Sequence, residues 1–384
     1  MLNQKIDKLN LINIIMKKKN KKTILILVVF FVLIIGIVLL VNFRFKVKPA
    51  SISYIFVKSL GPNIQNEKKT CNNKFISYKR TGSGFNNFRM QLETLISIAY
   101  ITKRTLIVPP KSIVDHLDGQ NIDEFDVFDW DSLSSLICLT RDEPNIEKYN
   151  IPITQDSHKS IDKSLLDKYK NEKYWYFEDL PLPSSECYIK TNDNIKKKQR
   201  RMLNKYLRFK KIYIDLAVDL LTKNDITEIG SYNSVHFRRG DFVSAAYYKD
   251  NELGNINKYN EFLSKNISND KPLLFISDSD KNEIKTELEK KYTEVITINT
   301  DSLSKLESTI VDMLLCCGSY KFIASPHSTF SIYIMILRGK VYRECKCIDD
   351  SILYLKDIGL PTENCKCNLP SCFNYVSKDI WMGY

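Results

Sequence analysis

The sequence predicts an α/β protein of two Rossmann-like halves facing a cleft, preceded by one N-terminal transmembrane helix. Three observations carry that expectation. Short apolar runs alternate with helically spaced segments in two separate sets. Glycines, arginines and hydroxyl residues gather where the strands should end. The twenty residues Ile24–Phe43 hold no charge and a single glycine. With 384 residues, 43% of them apolar, the chain can bury one large core or two adjoining ones, which excludes a disordered protein.

The N-terminal run is long enough to cross a bilayer, since twenty residues at helical rise span roughly 30 Å. A cleaved signal peptide would be shorter and followed by a small-residue cleavage site, so 24–43 reads as an uncleaved signal anchor. Lys17, Lys18, Lys19, Lys21 and Lys22 precede it, against Arg44, Lys46 and Lys48 after it. That bias places 1–23 in the cytosol and the body in the secretory lumen, in the Golgi or endoplasmic reticulum membrane as a single-pass type II protein. Residues 1–48 carry ten Lys/Arg and one acid, which leaves 47 basic against 44 acidic residues elsewhere. The formal charge of +12 is therefore local, and a nucleic-acid partner loses its main support. Ten cysteines suit an oxidising lumen, and five of them, Cys345, Cys347, Cys365, Cys367 and Cys372, fall in a cysteine-rich tail over 345–384. Their CxC spacing favours disulfides over a Cys₄ zinc centre, with connectivity left open. Asn266 in "NIS" is a glycosylation sequon.

Residues 44–70 read as a polar, unpatterned stem. "KFISYKR" is the first strand, "NNFRMQLETLISIAYITK" a helix with Met90, Leu92, Leu95, Ile96, Ile98 and Ala99 at helical spacing, and "TLIVPP" a buried strand stopped by prolines. These open an N-terminal half over 71–225, of which 111–200 resists parsing and "MLNKYLRFKKIYIDLAVDLLTK" is helical. The C-terminal half, 226–344, alternates cleanly. "YNSVHFRR", "KPLLFISDSD", "TEVITIN" and "YKFIAS" are strands, and "KNEIKTELEKKY", "LSKLESTIVDMLLCCGS" and "STFSIYIMILRG" are helices. Such alternation implies right-handed crossovers and parallel sheets, with ligand at the strands' carboxyl ends.

Those ends hold Gly82, Gly84, Asn86, Asn87 and Arg89; His236, Arg238, Arg239 and Asp241; Asp278 and Asp280; and Ser325, His327, Ser328, Thr329 and Ser331. The inventory suits an anion. Glycines let backbone amides approach a phosphate, a helix amino end carries free donors, and an arginine fork holds phosphate oxygens. Each element alone is ordinary turn or cap chemistry; their joint placement is what points to a site.

"GSGFNNFRM…LETLISIAYITKRTLIVPP", "VHFRRGD" and "FIASPHSTFS" together resemble the three blocks of the GDP-fucose-dependent fucosyltransferases, particularly the protein O-fucosyltransferase type, over roughly Phe75 to Lys340. The resemblance implies a GT-B type fold and metal-independent, inverting transfer of fucose from GDP-fucose to a protein or glycan hydroxyl, with no cofactor. It puts the family's H-x-R motif on His236 and Arg238, the arginine stabilising charge on the leaving GDP, and a second arginine on Arg239. The glycine-rich loop falls on Gly82, Gly84, Phe85, Asn86 and Asn87, and the hydroxyl block on Ser328, Thr329 and Phe330. An acid that reads guanine falls on Asp312, for which an exposed helix position is the plain alternative. Ser83 stands where some members carry a glutamate base, so the base is unassigned: Asn86 or Asn87 would orient the acceptor, with water or the phosphate taking the proton.

Two other readings stand beside this one. Asp278 and Asp280, or Asp129 and Asp131, could hold a divalent metal and a nucleotide diphosphate, as in DxD glycosyltransferases using another nucleotide sugar; the plain reading of Asp278 and Asp280 is that they cap the helix that follows. A non-catalytic glycan-binding protein on a transferase scaffold is the other. Arg239–Asp241, an "RGD", belongs to the strand-end motif, and His116 and His158 read as surface residues.

Overall fold

The computed structural model describes residues 30, 33, 51–62, 71–80, 84–114, 117, 119–153, 161–178, 189–190, 202–203, 205–238, 256–279, 281–325 and 328–345. The elements in order are α1 (Ile52–Leu60), β1 (Phe75–Tyr78), α2 (Phe85–Thr102), β2 (Thr105–Ile107), β3 (Ser112–Val114), β4 (Gln120–Ile122), α3 (Glu124–Val127), α4 (Trp130–Ser134), β5 (Leu139–Thr140), β6 (Tyr149–Asn150) and β7 (Ile161–Asp162). There follow α5 (Lys163–Lys168), β8 (Tyr174–Phe177), β9 (Ile189–Lys190), α6 (Lys211–Lys223), β10 (Asn233–Phe237), α7 (Ile256–Asn266), β11 (Leu273–Ser277), α8 (Lys281–Glu289), β12 (Val295–Ile296), α9 (Lys305–Leu315), β13 (Phe322–Ile323) and α10 (Thr329–Cys345).

Two parallel sheets organise the body. The first has the order β5-β2-β1-β8-β6 and the second β12-β11-β10-β13, every pairing being parallel. The central strands β10 (Asn233–Phe237) and β11 (Leu273–Ser277) of the second sheet are buried at every position, the pattern of a sheet covered on both faces. On the second sheet Val235 and Phe237 face a small cluster with Leu263, Ile284 and Leu288. The opposite face, with Leu274, Ile276 and Phe322, joins a large cluster that also contains Ile76, Leu106 and Trp175 of the first sheet. That shared core ties the two sheets into one body.

Arginines hold the chain ends of the first sheet. Arg104, 2% exposed, donates to the carbonyls of Glu172 at 2.8 Å and Lys170 at 3.2 Å and lies 3.5 Å from the Trp175 ring centroid. At the carboxyl end of β1, Arg80 donates to Glu124 Oε1 at 3.0 Å and to the Pro109 carbonyl at 2.7 Å, and Tyr78 OH donates to the same carboxylate. Burial pushes Glu124 up to about 8 and Arg80 down to about 10. The network fixes the root of the glycine-rich loop against the loop after β2.

Three expectations are corrected. The stem assigned to 44–70 contains α1, whose Ile52, Ile55, Phe56 and Leu60 are buried against α6 and α10. A single apolar stripe two turns long was masked by the polar residues after it. Gly318 admits this helix, since a Cβ there would meet Ile52 Cδ1 at 2.9 Å. The helix expected from Met202 to Lys223 breaks at Arg208–Lys210, where Phe209 N donates to Leu60 O at 3.1 Å and Arg208 turns to the Ser59 carbonyl. The unparsed 111–200 supplies the β3–β4 hairpin and three strands of the first sheet, β5, β6 and β8.

The predicted anchor lies outside the described residues except Phe30 and Leu33, both helical. No described helix is long and apolar enough to cross a membrane. The cysteine-rich tail beyond Cys345 also lies outside them. Among described cysteines, Cys71 and Cys138 form a disulfide closing 67 residues of chain, while Cys316 and Cys317 are buried thiols outside that bridge. Replacing Cys71 and Cys138 together by serine should cost about 2–4 kcal/mol of stability, read by thermal unfolding without reductant. An unchanged transition would mean that this bridge does not constrain the unfolded chain.

Candidate active site

The site is built where β10, β13 and α10 meet. β10 ends in His236 and Phe237 and is followed by Arg238, half-buried. His236 Nδ1 shares a 2.8 Å hydrogen bond with Ser331 Oγ. That hydroxyl accepts Ser325 N at 2.9 Å, and Ser325 Oγ in turn accepts Arg238 N at 3.1 Å. Ser328 caps α10 by accepting Ser331 N at 3.3 Å, and Phe330 lies against the His236 ring, centroids 4.7 Å apart. Strand end, loop and helix amino end are therefore cross-linked through three hydroxyls. Thr329 and Phe330 stay partly exposed at the first turn, where a seventeen-residue helix presents free amides and a partial positive charge.

His236 is 5% exposed. Burial holds its imidazole down at about 4, with Asp278 opposing that shift and Arg238 reinforcing it. It is neutral at physiological pH, a hydrogen-bonding group beside Arg238 rather than a second cation.

The glycine-rich loop leads into α2 in the same way. Gly84 occupies the N-cap with no side-chain cap, and its carbonyl accepts Asn87 N at 2.9 Å. Phe85 is buried against Phe88 and Phe128. Asn86 is buried with its Oδ1 unpartnered, and Asn87 is half-buried.

The two amino ends are brought together by one contact. Arg89 donates from Nε to Glu93 Oε1 at 3.0 Å, and its guanidinium lies 4.2 Å from the Tyr333 ring centroid. Tyr333 OH donates to Glu93 Oε2 at 2.9 Å. Arg89 is the fifth residue of α2 and Tyr333 the fifth of α10, so each amino end lies about one turn from this contact.

Asp312 sits on α9, part-buried rather than an exposed helix residue, and its Oδ1 is buried without a protein partner. Burial lifts it to about 6, against the pull of Lys281 and Lys305. Gly82, Arg239, Asp280 and His327 lie outside the described residues. Asp129 caps α4 by accepting Ser132 N at 2.7 Å, which accounts for it without a metal. Among described residues no group of three or more His, Cys, Asp or Glu side chains is arranged to hold a metal ion. Sequence reasoning placed Arg89 among the strand-end residues but missed Glu93 and Tyr333. The available signal was a charged i,i+4 pair inside an otherwise apolar helix.

Paired parallel sheets with a hydroxyl-lined helix amino end at the strand termini define an α/β protein built to hold an anionic ligand. The family model for GDP-fucose protein O-fucosyltransferases matches residues 75–339. The chain belongs to that family and is by membership a GDP-fucose-dependent fucosyltransferase. No curated protein sequence matches it. Similar solved structures include POFUT1 in complex with GDP, at 12% identity and TM-score 0.45 over 70% of this chain and 96% of that one. The fucosyltransferase NodZ from Bradyrhizobium has 14% identity and TM-score 0.48 over 71% and 94%.

A histidine folded neutral must be protonated in the unfolded chain below pH 6.5. Stability should therefore fall as pH drops from 6.5 towards 4, by on the order of 3 kcal/mol from this group. His236→Gln should flatten that limb in denaturant titrations run across the range; an identical pH slope in the variant would show that His236 is not held neutral.

Proposed function

We propose that the protein transfers fucose from GDP-fucose to a protein or glycan hydroxyl with inversion and without a metal, at the rim formed by α10, β10 and the amino end of α2. The observation that carries this is the hydroxyl network joining the Arg238 backbone, Ser325, Ser331 and His236, which fixes the backbone of a cationic residue beside a helix amino end. A leaving diphosphate needs both.

In an inverting transfer the acceptor oxygen bonds to the anomeric carbon as the bond from that carbon to the β-phosphate oxygen breaks. The sugar gains positive charge and the diphosphate departs with the electron pair. Groups that bind the growing phosphate charge more tightly than the substrate charge lower the barrier. Arg238 takes that role. Thr329, Phe330 and Ser328 offer the helix amides and hydroxyls, and neutral His236 holds the strand end beside them. Asp312 accepts from the guanine N1–H and amino group. On the facing side Gly84, Phe85 and Asn87 shape the loop, and Asn86 orients the acceptor hydroxyl, whose proton passes to phosphate or water. Gly82 and Arg239 complete the set by the family's motif alone.

The location follows from the sequence: a type II anchor at 24–43, with the body in the lumen of the Golgi or endoplasmic reticulum. The Cys71–Cys138 bridge supports an oxidising compartment. The acceptor groove is assigned to the first sheet and its 111–200 insertions.

Arg238→Ala should lower GDP-fucose turnover about 10²–10³-fold, the scale of one lost preorganised donor, measured as GDP released with excess chelator present. Turnover near wild type would remove Arg238 from the chemistry, and loss of wild-type turnover in chelator would favour the metal-dependent reading. Because burial lifts Asp312 to about 6, its carboxylate is present above that pH and lost below. GDP affinity should fall about tenfold between pH 7 and pH 5, with the profile flattened in Asp312→Asn; equal slopes in both proteins would contradict the guanine assignment.

A further inference from the structure

Arg89, Glu93 and Tyr333 are used by none of the donor or acceptor roles above, yet they form a buried charged contact between α2 and α10. Arg89 is 1% exposed and Glu93 4%. Burying both charges costs desolvation that an apolar pair of the same volume would avoid. The Nη1 of Arg89 is moreover buried without a partner, a further penalty. What the cluster supplies is direction. Apolar helices in contact can slide or rotate at small cost. A 2.9 Å bond from Tyr333 OH to Glu93 Oε2 and a guanidinium 4.2 Å from the same ring admit one register. Phe128 and Phe209, each 5.4 Å from the guanidinium, close its other sides.

The placement of Tyr333 on α10 gives that register a consequence. Two residues earlier is Ser331, which bonds His236. Successive helical residues are about 100° apart, so Ser331 and Tyr333 project from nearly opposite faces. α10 is thus gripped on one face by the strand end of the second sheet and on the other by the helix that follows the glycine-rich loop. A rotation of α10 that released Tyr333 from Glu93 would shift Ser331 against His236, and a slide would displace Thr329 and Phe330 relative to the amino end of α2.

We propose that Arg89, Glu93 and Tyr333 are positioning residues that set the glycine-loop helix against the phosphate-cradling helix. They act through Asn86 and Asn87 on one side and Ser331 and Thr329 on the other. The inference rests on the transferase reading and adds to it a device that fixes the two reacting sides relative to each other.

Tyr333→Phe in the full chain tests this, because it keeps the ring over the guanidinium and removes only the hydroxyl. Nucleotide affinity is read by GDP calorimetry, and turnover by GDP release at saturating GDP-fucose, well below the melting transition. GDP affinity should be unchanged while kcat falls roughly 10–100-fold, the scale of a misplacement of about 1 Å. Glu93→Gln should lower kcat in the same way, and the double variant should be less than additive, since the two changes share the Tyr333–Glu93 bond. A lowered melting temperature with kcat and KM intact would make the cluster merely structural and overturn the proposal. So would GDP affinity and kcat falling together by the same factor. Failure of the unaltered protein to bind GDP would instead overturn the transferase reading beneath it.

Discussion

The position of the amino end of α10 is the constraint on which the rest of the site depends. It is fixed from two directions by polar contacts in otherwise apolar packing: Ser331 with His236 and Ser325 on the second sheet, and Tyr333 with Glu93 and Arg89 on α2. A helix amino end is an effective anion site only if its free amides are aimed at the ligand beforehand, since reorientation at the moment of reaction would forfeit the electrostatic gain. Serine hydroxyls suit the work. Each is short and satisfies a backbone amide, and Ser331 also bonds the His236 ring, so three of them can lock a strand end, a loop and a helix turn with little conformational entropy to lose.

Arginine serves two purposes in this chain, and burial separates them. Arg104, Arg208 and Arg338 spend their donors on backbone carbonyls: Arg104 on the segment before β8, Arg208 on the end of α1, and Arg338 on Ser319 and Tyr320 after α9. These guanidinium groups satisfy carbonyls at chain turns and helix ends that are buried away from water. Arg238 differs in standing half-buried at a strand end, next to a histidine that burial keeps neutral. A neutral imidazole can hold the strand end through Ser331 without adding its own repulsion to the Arg238 guanidinium.

The second sheet was legible in the sequence because its strands are apolar runs bounded by polar turns, and its helices carry regular stripes. α9 even announces its start with Ser304 and Glu307 in a capping box. The first sheet was harder. β8 is "YWYF", a run without alternation between charged flanks, and nothing local distinguishes an aromatic strand buried on both faces from a stray aromatic patch. α1 escaped for a related reason, since its buried face is one short stripe before a polar stretch. At the site, His236, Arg238, Ser328 and Thr329 were readable because residue type and strand-end position coincide. Glu93 and Tyr333 were not, because their meaning lies in a contact between residues 240 apart, which no local pattern encodes.

The central claim is that the second sheet holds a nucleoside diphosphate at the amino end of α10 and selects guanine through Asp312. Calorimetric titration of the body with GDP, UDP and CDP in excess chelator tests it most directly. The account predicts micromolar-scale binding of GDP alone, abolished in Arg238→Ala. Binding that prefers UDP and requires added Mn²⁺ would contradict it, and would move the chemistry to the carboxylates after β11.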